Sequence, residues 1–132
     1  MKNQTTGGTI SFAPNSYYLH IHDQTAVGSG VSNANYDYTT AADKFVLLTS
    51  GFCTLGIDSV KFTFFYICEG SPNSYAELYY SADNGPWIST GQQYNNQMLW
   101  QYQIVQNPAF DNHTSLRFGI RWVNDAGIGP GS

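Results

Sequence analysis

Residues 59–68, SVKFTFFYIC, constrain the fold more than any other stretch. Val60, Phe62, Phe64, Tyr66 and Cys68 alternate with Lys61, Thr63, Phe65 and Ile67. A period of two sends each set to its own side of a β-strand. β-Branched and aromatic residues suit such a pleated, half-buried surface. The first set is apolar enough to face a core. The second begins polar and ends apolar, so the strand reads as central, with its far half covered or bordering a groove. The remaining apolar stretches read as partners for it.

The chain has 132 residues, enough for one domain that buries roughly two-thirds of its unfolded surface. Charged residues make up 11% and aromatics 16%, a profile closer to an extracellular β-sandwich than to a helical bundle or cytosolic enzyme. No apolar run is long enough to span a membrane, so no membrane insertion is expected. Residues 1–8 have no apolar core of the kind a signal peptide carries. The formal net charge of −4 argues against nucleic acid as a partner, because phosphate binding needs a clustered basic surface. Cys53 and Cys68 leave two readings open: a disulfide, if the chain reverses sharply near residues 56–58, or two free, buried thiols.

In chain order, residues 1–8 read as a flexible N-terminal segment, residues 9–125 as one β-sandwich domain, and residues 126–132 as a glycine-rich tail. Short strands are expected over residues 9–13 and 17–22, followed by a long polar loop over residues 23–42. Residues 44–49 form the next strand, with Phe45 and Leu47 opposed to Val46 and Leu48. Residues 69–74 are a turn. The strand at 75–81 turns Ala76, Leu78 and Tyr80 inward and Tyr75, Glu77 and Tyr79 outward. Asp83-Asn84-Gly85 is a turn signal, after which residues 87–90 close a hairpin and residues 91–97 form a polar loop. Residues 98–106 place Trp100, Tyr102 and Ile104 on the inward face and Gln101 and Gln103 outward. Residues 116–123 turn Leu116, Phe118, Ile120 and Trp122 inward and Arg117, Gly119 and Arg121 outward. No stretch carries a helical period.

The succession SVKFTFFYIC, SYAELYYSADNGPW, LWQYQIVQNPAF and LRFGIRWVND resembles the jelly-roll modules of secreted Bacteroidetes proteins, similar to the cleaved-adhesin and MAM-like families. The resemblance covers roughly residues 17–125 and implies a jelly-roll-like antiparallel β-sandwich in a secreted or cell-surface bacterial protein. The F-E…G-W strand that opens such modules and the GxAIDDI-type strand that closes them have no counterpart here. Their structural calcium is therefore not carried over. Open sheet edges are the corollary, to be filled by residues 9–13 or by a strand from a partner chain.

The outward faces suggest a binding surface. Glu77 and Tyr79, Gln101 and Gln103, and Arg117 and Arg121 share a face pairwise at i, i+2 spacing or its multiple. Amides, guanidinium groups and an aromatic ring on a rigid sheet supply the paired donors, acceptors and stacking surface that sugar hydroxyls require. Lys61 and Thr63 join that face if their strand is a neighbour. The plainer alternative is a solvated sheet face with cross-strand ion pairs, Glu77 with Arg117 for instance. Trp87 follows a turn, where it serves either as a ligand-stacking ring or as a rim residue over the core.

His20, His22 and Asp23 are weak metal candidates, because a structural zinc site needs about four ligands and only His113 remains to help. Two exposed strand histidines are the favoured reading. Asp23, Asn33, Asn35 and Asp37 offer oxygens for calcium without matching an EF-hand, so no cofactor is required. There is no nucleophile elbow, H-E-x-x-H motif or phosphate-cradling loop. The expectation is a non-enzymatic binding or adhesion module with a glycan or surface polysaccharide as partner. The alternative is a structural module that docks a neighbouring domain or a strand-donating chain.

Overall fold

The computed structural model describes residues 2–3, 17–18, 41–68, 70 and 72–125. Its strands are β1 (Lys2–Asn3), β2 (Tyr17–Tyr18), β3 (Ala42–Leu47), β4 (Lys61–Cys68), β5 (Ser74–Ala82), β6 (Ile88–Tyr94), β7 (Gln97–Gln106) and β8 (Leu116–Asn124). Every pairing among them is antiparallel. β1 pairs with β2, a four-stranded sheet runs β3-β8-β5-β6, and β4 pairs with β7. The fold is an all-β antiparallel sandwich.

Aromatic rings join the two layers. Phe62 of β4 stacks on Phe118 of β8 with centroids 4.0 Å apart, and Phe64 meets Tyr94 of β6 edge-on at 5.5 Å. Phe110 adds edge contacts to Phe118 and Tyr80, and it is fully buried together with Leu78. Burying each such side chain is worth about 1.5–3 kcal/mol, so this aromatic seam is the main source of cohesion between the layers. The alternation expected in β5 and β8 is present: Leu78, Tyr80, Leu116, Phe118 and Trp122 are buried.

Three expectations change. Residues 59–68 do not form the central strand: among the described residues β4 pairs with β7 alone, whereas β8 pairs with both β3 and β5. Alternation reports which face is buried, and it carries no information on how many backbone neighbours a strand has. The polar stretch expected to be a loop at residues 91–97 instead continues β6 as far as Tyr94. Among the described residues β6 is the edge of its sheet, where polar residues are tolerated. Its register shifts opposite Glu77 and Tyr79, and Gly91 takes φ 76°, a left-handed conformation that glycine adopts at little cost.

The third change is the phase of β7. Register pairs Val105 with Phe62, Gln103 with Phe64 and Gln101 with Tyr66, all on the face that meets the core. Tyr102 and Ile104, 46% and 51% exposed, pair with Phe65 and Thr63 on the outer face. Trp100 shares their alternation and is partly buried, so it is not a buried core residue. A one-residue offset inverts every side chain of a strand, and here the Phe62–Val105 rung decided it.

The connections have clear local causes. Asp83 and Asn84 take φ 51° and 59°, and Gly85 N–H donates to the Ala82 carbonyl at 2.8 Å. That is the mirror-image turn favoured in hairpins, and Asp and Asn tolerate its left-handed backbone. After β7, Asn107 caps a 3₁₀ turn at Pro108–Phe110, with its side chain accepting from Ala109 N–H at 2.9 Å. The segment between β3 and β4 is pinned to this turn. Thr54 Oγ1 donates to the Phe110 carbonyl at 2.8 Å and accepts from His113 N–H at 2.9 Å. The Asp111 carboxylate accepts from the N–H groups of Ser59 and Val60.

Neither Cys53 nor Cys68 is in a disulfide. Cys53 is exposed, contrary to the expectation of a buried pair. Cys68 is partly buried, its thiol donates to the Tyr94 carbonyl at 3.1 Å, and burial pushes its pKa up to about 11. No described helix is long and apolar enough to cross a membrane.

Candidate functional site

The outer face of the four-stranded sheet carries an open hollow lined by Phe45, Tyr79, Trp87 and Arg121. Gly119 lies buried beneath two of these rings. A Cβ at that position would lie 2.6 Å from Phe45 Cζ and 3.3 Å from Trp87 Cζ3, so the two rings rest on bare backbone. Phe45 reaches the site because β3 pairs with β8 in a register that places it opposite Arg121. Its ring meets Tyr79 at 5.6 Å and Trp87 at 5.1 Å, both edge-to-face. Edge contacts of this kind contribute about 0.5–1.5 kcal/mol each and hold the rings in fixed relative orientation.

A polar chain borders the rings. Arg121 makes a two-pronged contact with Asp43, Nε to Oδ1 at 2.9 Å and Nη2 to Oδ2 at 2.7 Å. Its Nη1 donates to the Tyr79 hydroxyl at 3.3 Å, and that hydroxyl donates to Glu77 Oε2 at 3.4 Å. Ser89 Oγ donates to the other Glu77 oxygen. The hydrogen bond from Arg121 holds the Asp43 carboxyl below its usual range, and the same bond, with the one to Tyr79, keeps Arg121 more firmly protonated. Asp43 is exposed and Arg121 partly so, and solvent screening means that the pair orients the guanidinium more than it stabilises the fold. Arg117 lies over Trp87, its guanidinium carbon 5.3 Å from the ring centroid.

Five of the seven residues expected at the binding surface therefore share this face: Glu77, Tyr79, Trp87, Arg117 and Arg121. Gln101 and Gln103 do not. They belong to β7 in the other sheet and pair with Tyr66 and Phe64. Their side-chain amides donate to the backbone carbonyls of Tyr102 and Ile104 on their own strand. Lys61 and Thr63 lie on β4 and are likewise remote from the face in question. The Glu77–Arg117 pair given as an example of the plainer alternative does not form, because register sets Glu77 opposite Arg121 and Arg117 opposite Ser81. Trp87 is neither at a loop tip nor over the core: it is half-buried on the outer face, between Phe45 and Arg117.

Asp43, Phe45 and Gly119 were not anticipated. Phe45 and Leu47 alternate with the equally apolar Val46 and Leu48, so period alone does not say which pair faces out. A glycine between two outward arginines was the available signal for something resting on the sheet.

A second polar cluster joins the β5–β6 turn to the segment before β8. Asp83 Oδ1 accepts from Thr114 N–H and Oγ1 and from Ser115 N–H, and Oδ2 faces His113 Nδ1 at 2.8 Å. These hydrogen bonds hold the Asp83 carboxyl well below the ordinary carboxylate range. The cluster ties loops together. No group of three or more His, Cys, Asp or Glu side chains converges as a metal site among the described residues. His20, His22, Asp23, Asn33, Asn35 and Asp37 lie outside those residues. No family model matches the chain, and neither does any curated protein or solved structure.

Proposed function

We propose that the protein is a non-catalytic binding module that holds a glycan in the hollow on the outer face of its four-stranded sheet. The observation that carries this reading is the convergence of three aromatic rings, two of them seated on Gly119, with an oriented guanidinium–carboxylate pair on one open surface. Sugar rings present apolar C–H faces and hydroxyl edges, which match the ring faces and the Asp43–Arg121–Tyr79–Glu77 chain respectively. The side chains are held by one another before any ligand arrives, so little ordering accompanies binding. The jelly-roll resemblance and a secreted or cell-surface setting are part of the same proposal.

The test is a glycan array screened with the purified chain, with calcium and again with chelator, beside a Tyr79→Ala/Arg121→Ala double variant. The expected result is selective retention of related glycans, lost in the variant while its melting temperature falls by only a few degrees. Undiminished binding by the variant would place the site elsewhere.

One observation favours a second reading, a protein-docking module. Met98, Tyr102 and Ile104 leave an exposed apolar strip along the outer face of β7, with Ile104 51% exposed. An array without retained glycans, together with concentration-dependent self-association abolished by Ile104→Lys, would favour that reading.

A further inference from the structure

We propose that the ligand of the hollow carries an acid group, a carboxylate or sulfate ester on a sugar ring, and that Arg117 is its partner; this rests on the glycan reading above. Arg117 and Arg121 are the cations on this face of β8, and they are differently engaged. Arg121 spends its fork on Asp43. Arg117 has no carboxylate partner among the described residues. Among the described residues its one hydrogen bond runs from Nη2 to Ser81 Oγ at a long 3.4 Å, and its Nε is buried and meets no acceptor there.

Nearby acids do not neutralise it. Glu77 accepts from Ser89 and Tyr79 and lies four residues along β5 from Ser81, the residue opposite Arg117. At about 3.3 Å per residue that is roughly 13 Å of strand, beyond the screening length of about 8 Å at physiological salt. Asp83 is bound by Thr114, Ser115 and His113. Asp43 belongs to Arg121.

The guanidinium of Arg117 is thus positioned by the Trp87 ring and left with donors to spare, at the edge of a surface suited to a sugar. A planar fork of donors matches the paired oxygens of a carboxylate or sulfate, whereas a neutral hydroxyl takes only part of it. Nε is sealed from solvent, whereas Nη1 is not among the buried atoms and makes no hydrogen bond among the described residues, so an acid group on the ligand meets the donors that remain open.

The test compares oligogalacturonate and alginate oligosaccharides with their carboxyl-reduced forms, and a sulfated galactan oligosaccharide with its desulfated form, on an immobilised-glycan surface. At least tenfold tighter binding of one acid form over its neutralised counterpart is expected, and which series responds tells carboxylate from sulfate. Arg117→Gln should erase the preference and Arg117→Lys should keep part of it. Equal binding of acid and neutral forms would overturn the assignment while leaving the glycan reading intact, as would a preference that survives Arg117→Gln. Binding to none of these, with neutral glycans retained on the array, also overturns the assignment alone; silence across every glycan removes both. If Arg117→Gln does not fold, Arg117→Lys carries the residue test, and an undiminished acid preference in it overturns the assignment.

Discussion

Replacing Gly119 with alanine probes the hollow from beneath without altering any side chain that would touch a ligand. The new methyl would sit 2.6 and 2.8 Å from the tip of the Phe45 ring, where ordinary contact begins near 3.4 Å. Phe45 must therefore lift by about 0.8 Å, and its edge contacts with Tyr79 and Trp87 loosen with it. Overpacking of this kind costs typically 1–3 kcal/mol. The low end applies, because Phe45 is 39% exposed and has solvent to move into. Removing a strand glycine returns roughly 0.5 kcal/mol through the unfolded chain. The net expectation is about 0.5 kcal/mol, a fall in melting temperature of about 2 °C for a domain of this size. Glycan affinity should fall at least tenfold, the equivalent of about 1.4 kcal/mol, because the ring surface is displaced. Calorimetry and binding measured on one preparation give both numbers. Full affinity in a folded Gly119→Ala protein would refute the reasoning that the rings on this glycine form the site.

Two further predictions concern the scaffold. Phe110→Ala should destabilise the protein by about 3–5 kcal/mol in urea unfolding, since a fully buried ring between Tyr80 and Phe118 leaves a cavity; a loss under about 1 kcal/mol would mean the layers do not pack through it. Asp83 has a folded-state pKa held below its unfolded value near 4, so its contribution is present above about pH 4 and is lost as pH falls further. Asp83→Asn should therefore lower the melting temperature at pH 7 and flatten its decline on acidification, and an unchanged acid slope would count against the Asp83 cluster as a loop clasp.

The strands that alternate cleanly were legible from the residues themselves. In β5 and β8 the buried members Leu78, Tyr80, Phe118 and Trp122 face polar or charged neighbours such as Glu77, Arg117 and Arg121, so only one phase is reasonable. That phase alone sets Glu77, Tyr79, Arg117 and Arg121 on the outward side of their strands. In β7 the apolar residues occupy both phases, Trp100, Tyr102 and Ile104 against Leu99 and Val105, and the choice fell to cross-strand register with β4. The glutamines were misplaced for that reason. Asp43 was illegible for another: it meets Arg121 across 78 residues of sequence, and no local pattern encodes that closure. Phe110 follows a strand-ending proline and reads as loop, yet the 3₁₀ turn folds it back into the centre of the core.

Whether the hollow on the β3-β8-β5-β6 sheet is the binding surface is tested most directly by amide NMR. A ¹H–¹⁵N spectrum of the protein would be titrated with the glycan retained on the array. The largest shifts should fall on the amides of Phe45, Tyr79, Gly119 and Arg121 and on the Trp87 indole, with β4 and β7 nearly still. Shifts centred instead on residues 98–104 of β7 would contradict the assignment and move the binding surface to the opposite sheet.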